Sequence, residues 1–340
     1  MSGIDQISEK TGHSKASISR ALNNCGSVSS EVKEEIVRAA AEIGYIPPQK
    51  KRIKRPAGGF LIAAALPETP AFFWNEAAEG MKEAAMRHED IRLVQSLFQR
   101  LGSEKDILYC LDYLIDLQPD ILIAAAPAFA SVQRKLAGCN IPVIAFSESG
   151  HLHPLFYVGA DFYRDGVLLA RGAAPKMKDC RKIVRIDSEP MPMIHLRNEG
   201  FRREMMNLCP MLSWTDSVET ADWSPSEAPS RLARILKHRE FDAIYVSDGQ
   251  LPQVMTALGK LKSDHDIYVA GFERAGLRFQ NDPRLAAVME QDIRQQGTMC
   301  LEAARTYLLT GEIPEGRRLL IQSRLTTGER ISRKENRGSL

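Results

Sequence analysis

The sequence is short of the features that mark a secreted, membrane-bound or catalytic protein. Its 340 residues contain six cysteines, Cys25, Cys110, Cys139, Cys180, Cys209 and Cys300, each alone and none in a C-x-x-C pair. Scattered single cysteines argue for reduced thiols and against a disulfide scaffold or a zinc site. The opening residues hold no apolar signal-peptide core, and no uninterrupted apolar run reaches the ~20 residues needed to span a bilayer. A soluble cytoplasmic protein without membrane contact is therefore expected. No G-x-S-x-G elbow, Walker loop, H-E-x-x-H pair or dinucleotide glycine fingerprint occurs. No cofactor is called for, and the chain is not expected to be an enzyme. His151 and His153 alternate as two ligands on a strand would, but no third ligand stands nearby, so no metal site is assigned. Asp187, Ser188 and His195 supply the residue types of a hydrolytic triad, yet nearness in sequence is not triad geometry.

Net charge is almost absent too, at +2, but it is unevenly spread. Residues 1–55 carry ten Lys and Arg against six Asp and Glu, a net of +4, which leaves −2 on the remainder. A local basic excess is what counterion release from phosphates requires. With 44% hydrophobic residues, a chain of this length supports more than one packed domain.

The basic end is patterned. Ile4 and Ile7 form one apolar stripe at helical spacing, Ile18 and Leu22 another, and Gly12 lies between them. Glycine adopts positive backbone dihedrals without steric cost, so Gly12 lets the chain turn sharply between two short helices. Ser14 is suited to cap the second helix, whose outer side then carries Lys15, Ala16, Ser17, Ser19 and Arg20. Such a surface of small and basic side chains fits a DNA major groove about 12 Å wide. Ser29 and Glu31 predict the start of a third helix with Val32, Ile36, Ala39, Ala40 and Ile43 on one face. Gly44 and Tyr45-Ile46-Pro47 predict its end. Cys25, just past the second helix, reads as a small packing residue rather than a reactive thiolate.

The run Ser17-Ile18-Ser19-Arg20-Ala21-Leu22-Asn23, then Val28-Ser29, then Gly44-Tyr45-Ile46-Pro47, with the spacing between them, resembles the lactose-repressor family of bacterial transcription regulators. The resemblance implies that residues 1–46 are a three-helix, helix-turn-helix DNA-binding headpiece. Ser14, Lys15, Ala16, Ser17, Ser19 and Arg20 would face DNA, with Asn23, Ser29 and Tyr45 positioning its backbone.

Residues 47–59 change character, with Pro47-Pro48 at one end and Pro56, Gly58 and Gly59 at the other, and read as a linker. In the family this region forms a hinge helix whose leucine wedges into the minor groove. Here Lys54 stands in the leucine's place. Lys50, Lys51, Arg52, Lys54 and Arg55 are instead expected to lie along phosphates or in a narrow minor groove. The bland alternative is a solvated basic linker.

From residue 60 to about 325 buried strand patterns alternate with amphipathic helices. Strands are predicted at 60–66, 91–98, 121–126, 142–146, 182–186, 213–218, 243–247 and 267–272. Helices are predicted at 73–87, 104–117, 132–137, 195–208, 229–237 and 251–262. This alternation implies right-handed βαβ crossovers and an α/β fold of parallel sheets covered on both faces. Two such series suggest two similar lobes around one cleft, where ligands bind beyond the carboxyl ends of the strands. Residues 326–340 read as a tail.

This half resembles the same family, whose core is similar to periplasmic sugar-binding proteins. The resemblance rests on Phe72-Phe73-Trp74 with Gly80, Arg197-Asn198-Glu199-Gly200-Phe201, Val246-Ser247-Asp248, Val269-Ala270-Gly271-Phe272-Glu273, and Gln291-Asp292 with Gly297. It implies that a late helix near 295–310 returns to the first lobe. Phe73 and Trp74, expected in a loop after the first strand, offer aromatic faces to a sugar ring or else pack a helix start. Arg197 offers a fork of donors for hydroxyls or a carboxylate, or else makes a surface ion pair with Glu199. Asp248 and Glu273 are candidate acceptors; the family usually has Asn-Asp and Asp where Ser247-Asp248 and Glu273 stand. Trp223 is expected to wall the cleft and Gln291 to bridge it. The apolar loop 124–129, and Ser147 where an aspartate is common, point to a ligand less polar or smaller than a simple hexose.

Together these features predict a homodimeric repressor-type regulator, with double-stranded operator DNA and a sugar-like effector as partners. A solute-binding protein of a sugar transport system is the alternative, against which the headpiece and the missing signal peptide weigh.

Overall fold

The computed structural model describes residues 3–22, 28–43, 58–68, 71–99, 104–125, 127, 129–147, 154–187, 191–215, 217–220, 223–224, 226–261 and 266–328. Asn23, Cys25, Tyr45, His151, His153, Ser188 and the basic residues 50–55 lie outside these segments, so the expectations placed on them do too.

Three helices open the chain: α1 (Gly3–Thr11), α2 (Lys15–Leu22) and α3 (Ser30–Glu42). Ile7, Ile18, Ala21, Ile36, Ala39 and Ala40 bury themselves together, with Ile4, Leu22, Val32 and Ile43 closing around them. Gly12 takes φ +70° between α1 and α2. The turn is fastened by the Ser8 hydroxyl, which donates to the His13 carbonyl at 2.8 Å, and by the His13 ring on Glu35 of α3 at 3.0 Å.

The first lobe is built from β1 (Phe60–Pro67), α4 (Ala71–Met86), β2 (Ile91–Phe98), α5 (Glu104–Asp116), β3 (Ile121–Ala124), α6 (Ala130–Gly138), β4 (Val143–Phe146) and β5 (Phe156–Gly159). The chain then crosses to the second lobe. There it forms α7 (Phe162–Met177), β6 (Lys182–Asp187), α8 (Pro192–Leu208), β7 (Ser213–Trp214), β8 (Val218–Glu219), α9 (Ala228–Leu236), β9 (Ala243–Val246), α10 (Leu251–Leu258), β10 (Tyr268–Phe272) and β11 (Leu285–Glu290). Next α11 (Ile293–Thr310) and β12 (Arg318–Leu320) return to the first lobe, and β13 (Arg324–Thr327) ends in the second.

The sheet orders are β12-β5-β4-β3-β1-β2 and β13-β11-β10-β9-β6-β7, with β8 also on β6. Pairing is parallel apart from the antiparallel β13, which the alternating pattern did not foreshadow. Strands β3, β4 and β9 are buried at every position, as parallel strands covered on both faces must be. Five elements go beyond the predicted series: β5, α7, β11 and the hinge-flanking β12 and β13. The single strand expected over 213–218 is two short ones, β7 and β8.

In each lobe two helices cross at a reciprocal pair of glycines. A Cβ on Gly80 of α4 would sit 2.1 Å from the Arg294 carbonyl of α11, and one on Gly297 would sit 2.2 Å from the Ala77 carbonyl. In the second lobe a Cβ on Gly200 of α8 would sit 2.1 Å from the Tyr163 carbonyl of α7, and one on Gly166 would sit 2.3 Å from the Arg197 carbonyl. Only glycine permits such backbone approach.

Three connectors join the lobes, at 160–161, 291–292 and 321–323. Two of them end in helix caps: Asp161 accepts from the Arg164 amide at 3.1 Å, and Asp292 from the Gln295 amide at 2.9 Å. The third places Ser323 against α7, where its hydroxyl donates to the buried Asp165 carboxylate at 2.6 Å. Burial pushes the Asp165 carboxyl up to about 6, and the Ser323 hydrogen bond opposes this only in part.

Gly200→Ala is expected to destabilise the protein by about 1–3 kcal/mol, since backbone faces the new methyl. Gly138→Ala at the open end of α6, where a Cβ meets nothing within 4 Å, should be neutral or gain up to ~1 kcal/mol; thermal denaturation compares the two. A carboxyl whose value is raised by folding favours the fold at pH below its ordinary value, and that favour is lost as pH rises through about 6. Asp165→Asn, which retains an acceptor for Ser323, should therefore flatten the stability profile between about pH 4 and pH 6. It should also stabilise the protein on the order of 2 kcal/mol at pH 7. Parallel melting-versus-pH curves for the two proteins would contradict this.

Candidate nucleic-acid interface and ligand cleft

Helix α2 starts where its capping residue sets it: the Ser14 hydroxyl accepts from the Ser17 amide at 3.1 Å and contacts the Ser17 hydroxyl at 2.9 Å. With Ile18 and Ala21 turned into the core, Ser14, Lys15, Ala16 and Arg20 are left exposed, and Ser17 and Ser19 half-buried. The Lys15 ammonium is paired with Asp5 of α1 while most of its side chain stays open to solvent. Ser29 accepts from the Val32 amide at 3.4 Å, at the start of α3. The outer face of α2 is thus a continuous basic and small-residue surface on a rigidly capped helix, able to meet phosphates and base edges.

The cleft is assembled by the connectors and by the carboxyl ends of the strands. A cavity of about 330 Å³ is lined from the first lobe by Phe73, Glu76 and Arg294, from the second by Glu273, Arg274, Glu290 and Arg324, and from the connectors by Gln291, Asp292 and Gln322; Arg197 is not on its wall. That is the lower end of the range for small-molecule pockets. Arg197, on the first turns of α8, is 2% exposed. Its Nη2 donates to Glu273 Oε1 at 3.0 Å and its Nη1 to the Ser247 carbonyl at 3.3 Å. The guanidinium lies 4.1 Å from the Phe272 ring centroid and 5.3 Å from that of Phe162. Gln291 Nε2 also donates to Glu273 Oε1 at 3.0 Å, and Gln296 of α11 donates to Gln291 Oε1 at 3.3 Å. A buried polar chain thus runs from α8 through β10 and a connector to α11, from one lobe to the other.

Ser147 and Glu273 occupy equivalent places, each directly after a central strand, β4 and β10. Both are buried with positive φ, +56° and +77°. Glu273, at ψ +147°, sits where few residues but glycine are found, and such strain, about 1–3 kcal/mol, persists where the surroundings fix it.

The structure corrects one expectation and removes one alternative. Phe73 and Trp74 stand in α4, not in a loop; Phe73 lines the cavity, but Trp74 is 1% exposed and packs edge-on against Phe73 and Phe146 in the first-lobe core. Arg197 makes no surface pair with Glu199: its partner is Glu273, 76 residues further along. Trp223 lies under Arg231, 4.7 Å from ring centroid to guanidinium, and packs on the second-lobe core. Asp248 is buried and accepts from the Gln250 amide at 3.0 Å, shaping the turn after β9. Asp165, Ser323, Phe162 and Gln296 escaped the sequence reading. The capping aspartates and the Gly-bearing helices beside them were the available signals. A wider hollow of about 720 Å³ runs along the outer face of α8. Its floor, Asp187, is already engaged by Arg185 and Asn198 rather than by His195. Among the described residues no three His, Cys, Asp or Glu side chains gather as metal ligands, and no helix is long and apolar enough to cross a membrane.

Comparison with known proteins fits both halves. Residues 62–313 match the family described as periplasmic binding protein domain, and residues 3–48 match bacterial regulatory proteins, lacI family. The HTH-type transcriptional regulator GntR of Pseudomonas aeruginosa is 25% identical over 207 residues, which cover 59% of this chain and 58% of that protein, little more than half its length. The HTH-type transcriptional repressor CytR of Escherichia coli K12 is 22% identical over 299 residues, 84% of each chain. Among solved structures, a lacI-family transcriptional regulator from Silicibacter pomeroyi superposes with a TM-score of 0.64 at 20% identity, over 96% of this chain and 98% of that one. The chain therefore belongs to the periplasmic-binding-protein-domain family over residues 62–313, with a lacI-family helix-turn-helix headpiece over residues 3–48.

Proposed function

We propose that the protein is a cytoplasmic, non-enzymatic transcriptional repressor that binds operator DNA as a homodimer and releases or tightens its hold when a small sugar-like molecule enters the cleft. The observation that carries this reading is the outer face of α2, with Lys15, Ala16 and Arg20 exposed on a helix whose other face is locked by Ile18 and Ala21. Arg20 is the candidate for guanine O6/N7 or a phosphate, Lys15 and Ala16 for tuning base choice, and Ser14, Ser17, Ser19 and Ser29 for the backbone. Asn23, Tyr45 and the basic residues 50–55 extend the proposed contact along the duplex. Two headpieces related by a two-fold axis would read a pseudo-palindromic site.

For the cleft, Phe73, Arg197, Asp248, Glu273 and Gln291 are the proposed effector contacts; Trp74 is better described as core support behind Phe73. The buried chain from Arg197 to Gln296 joins both lobes, so a molecule that engages it also biases how they sit. A ligand shifts such an equilibrium by its differential affinity for the two states.

Selection of genomic fragments by the purified protein should return sites with two-fold symmetry. On such a site Arg20→Ala should cost about 1–3 kcal/mol of specific binding and leave binding to random duplex nearly unchanged. Equal weakening on both would mark Arg20 as a phosphate contact, and no preference for any fragment over scrambled duplex would refute the reading.

A further inference from the structure

We infer that the hollow along the outer face of α8 is a second ligand site, separate from the cleft, that takes an organic phosphate monoester with an apolar ring body. It shares no lining residue with the cleft cavity, so it stands apart from the reading of the cleft as the effector site.

The hollow holds about 720 Å³, more than twice the 330 Å³ of the cleft cavity and well inside the range for small-molecule pockets. It follows α8 for about four turns, from Met191 to Met206, beside the carboxyl end of β6. Arg185 lines it from β6, and Arg202 and Arg203 line it from α8; the only carboxylates on the same wall are Asp187 and Glu199. Asp187 is already held by Arg185 and by the Asn198 amide at 3.3 Å, so that charge is answered within the wall. Arg202 and Arg203 are exposed, and among the described residues neither forms an ion pair, even with Glu199 one turn before them. Neither sits in the last turn of α8, where the helix dipole would account for a cation.

Two free guanidinium forks on one wall select the head of the ligand. A phosphate monoester carries roughly two negative charges near neutral pH and three acceptor oxygens, enough to engage both forks. A carboxylate brings one charge and satisfies one fork. The rest of the wall selects the body. Met191, Pro192 and Ile194 line the end of the hollow where α8 begins, and Met206 lines the other end. Inorganic phosphate would leave that apolar surface in water, whereas a ring bonded to the phosphate covers it. His195, exposed beside Ile194, adds a flat face and a ring N–H at the same end. Basic and apolar halves thus lie end to end along one helix, in the order that an anionic head and an apolar body require.

The test is calorimetric titration of the full-length protein with 1-naphthyl phosphate, 1-naphthoate and inorganic phosphate. In wild type the naphthyl phosphate should bind about tenfold or more tighter than naphthoate, which offers one charge. It should exceed inorganic phosphate, which lacks the ring, by at least as much. The double variant Arg202→Gln/Arg203→Gln changes only exposed side chains and should melt like wild type, yet lose about tenfold or more of its affinity for naphthyl phosphate. Phe73→Ala, in the cleft, should keep the wild-type affinity. Affinity unchanged in the double variant would assign the phosphate to the cleft or to the DNA-reading headpiece and overturn the inference. A loss in Phe73→Ala as large as in the double variant would overturn it too. So would the absence of binding to wild type, or naphthoate or inorganic phosphate binding as tightly as naphthyl phosphate. None of these results touches the reading of the cleft as the effector site.

Discussion

Connectors a few residues long, at 160–161, 291–292 and 321–323, join the lobes, and those connectors also build the cleft. Asp161 and Asp292 stop the sheet and start the crossing helix in the same step, each by capping the amide three residues on. Because α11 packs in the first lobe and α7 in the second, each lobe contains a helix that begins in the hinge. The glycine pairs Gly80–Gly297 and Gly166–Gly200 then clamp each of those helices to the neighbour that carries a cleft residue, α4 with Phe73 and α8 with Arg197. Position in the cleft is thereby inherited from close backbone packing, not from flexible side chains.

Electrostatics adds a second layer to that frame. Buried charge is costly unless paired and hydrogen-bonded, and the cleft floor pairs Arg197 with Glu273, Glu273 with Gln291 and Gln291 with Gln296. Asp165 is the exception, held in the fold at the expense of its ionised form, with burial outweighing the Ser323 hydrogen bond and the charge of Arg197. Pairing of this kind is strong evidence for a defined geometry and weak evidence for stability. It belongs where a protein needs its polar groups in one place.

Much of this was legible in the sequence because it is local. The 3.6-residue period, Gly12 and the Ser14 cap spell out the headpiece, and the short apolar runs at β1, β3, β4, β9 and β10 spell out parallel strands. What was not legible depends on distant partners. The α7 segment carries Gly166, Gly172 and Pro175, residues that argue against a helix until the close crossing with α8 is known. The strands β12 and β13 are three and four residues long and exist only because each completes a sheet edge. Trp74 looked like a stacking platform because a sequence does not show which side of α4 faces Phe146. Arg197 has Glu199 two positions away, but on a helix residues two apart do not face each other, and its true partner arrives from another strand.

The central claim is that occupancy of the cleft and occupancy of DNA are linked through this hinge. Its most direct test measures operator affinity of the full-length protein at zero and at saturating cleft ligand, and ligand affinity with and without operator. Linkage requires the two ratios to be equal and different from one. An operator affinity that does not move when the cleft is saturated would contradict the account.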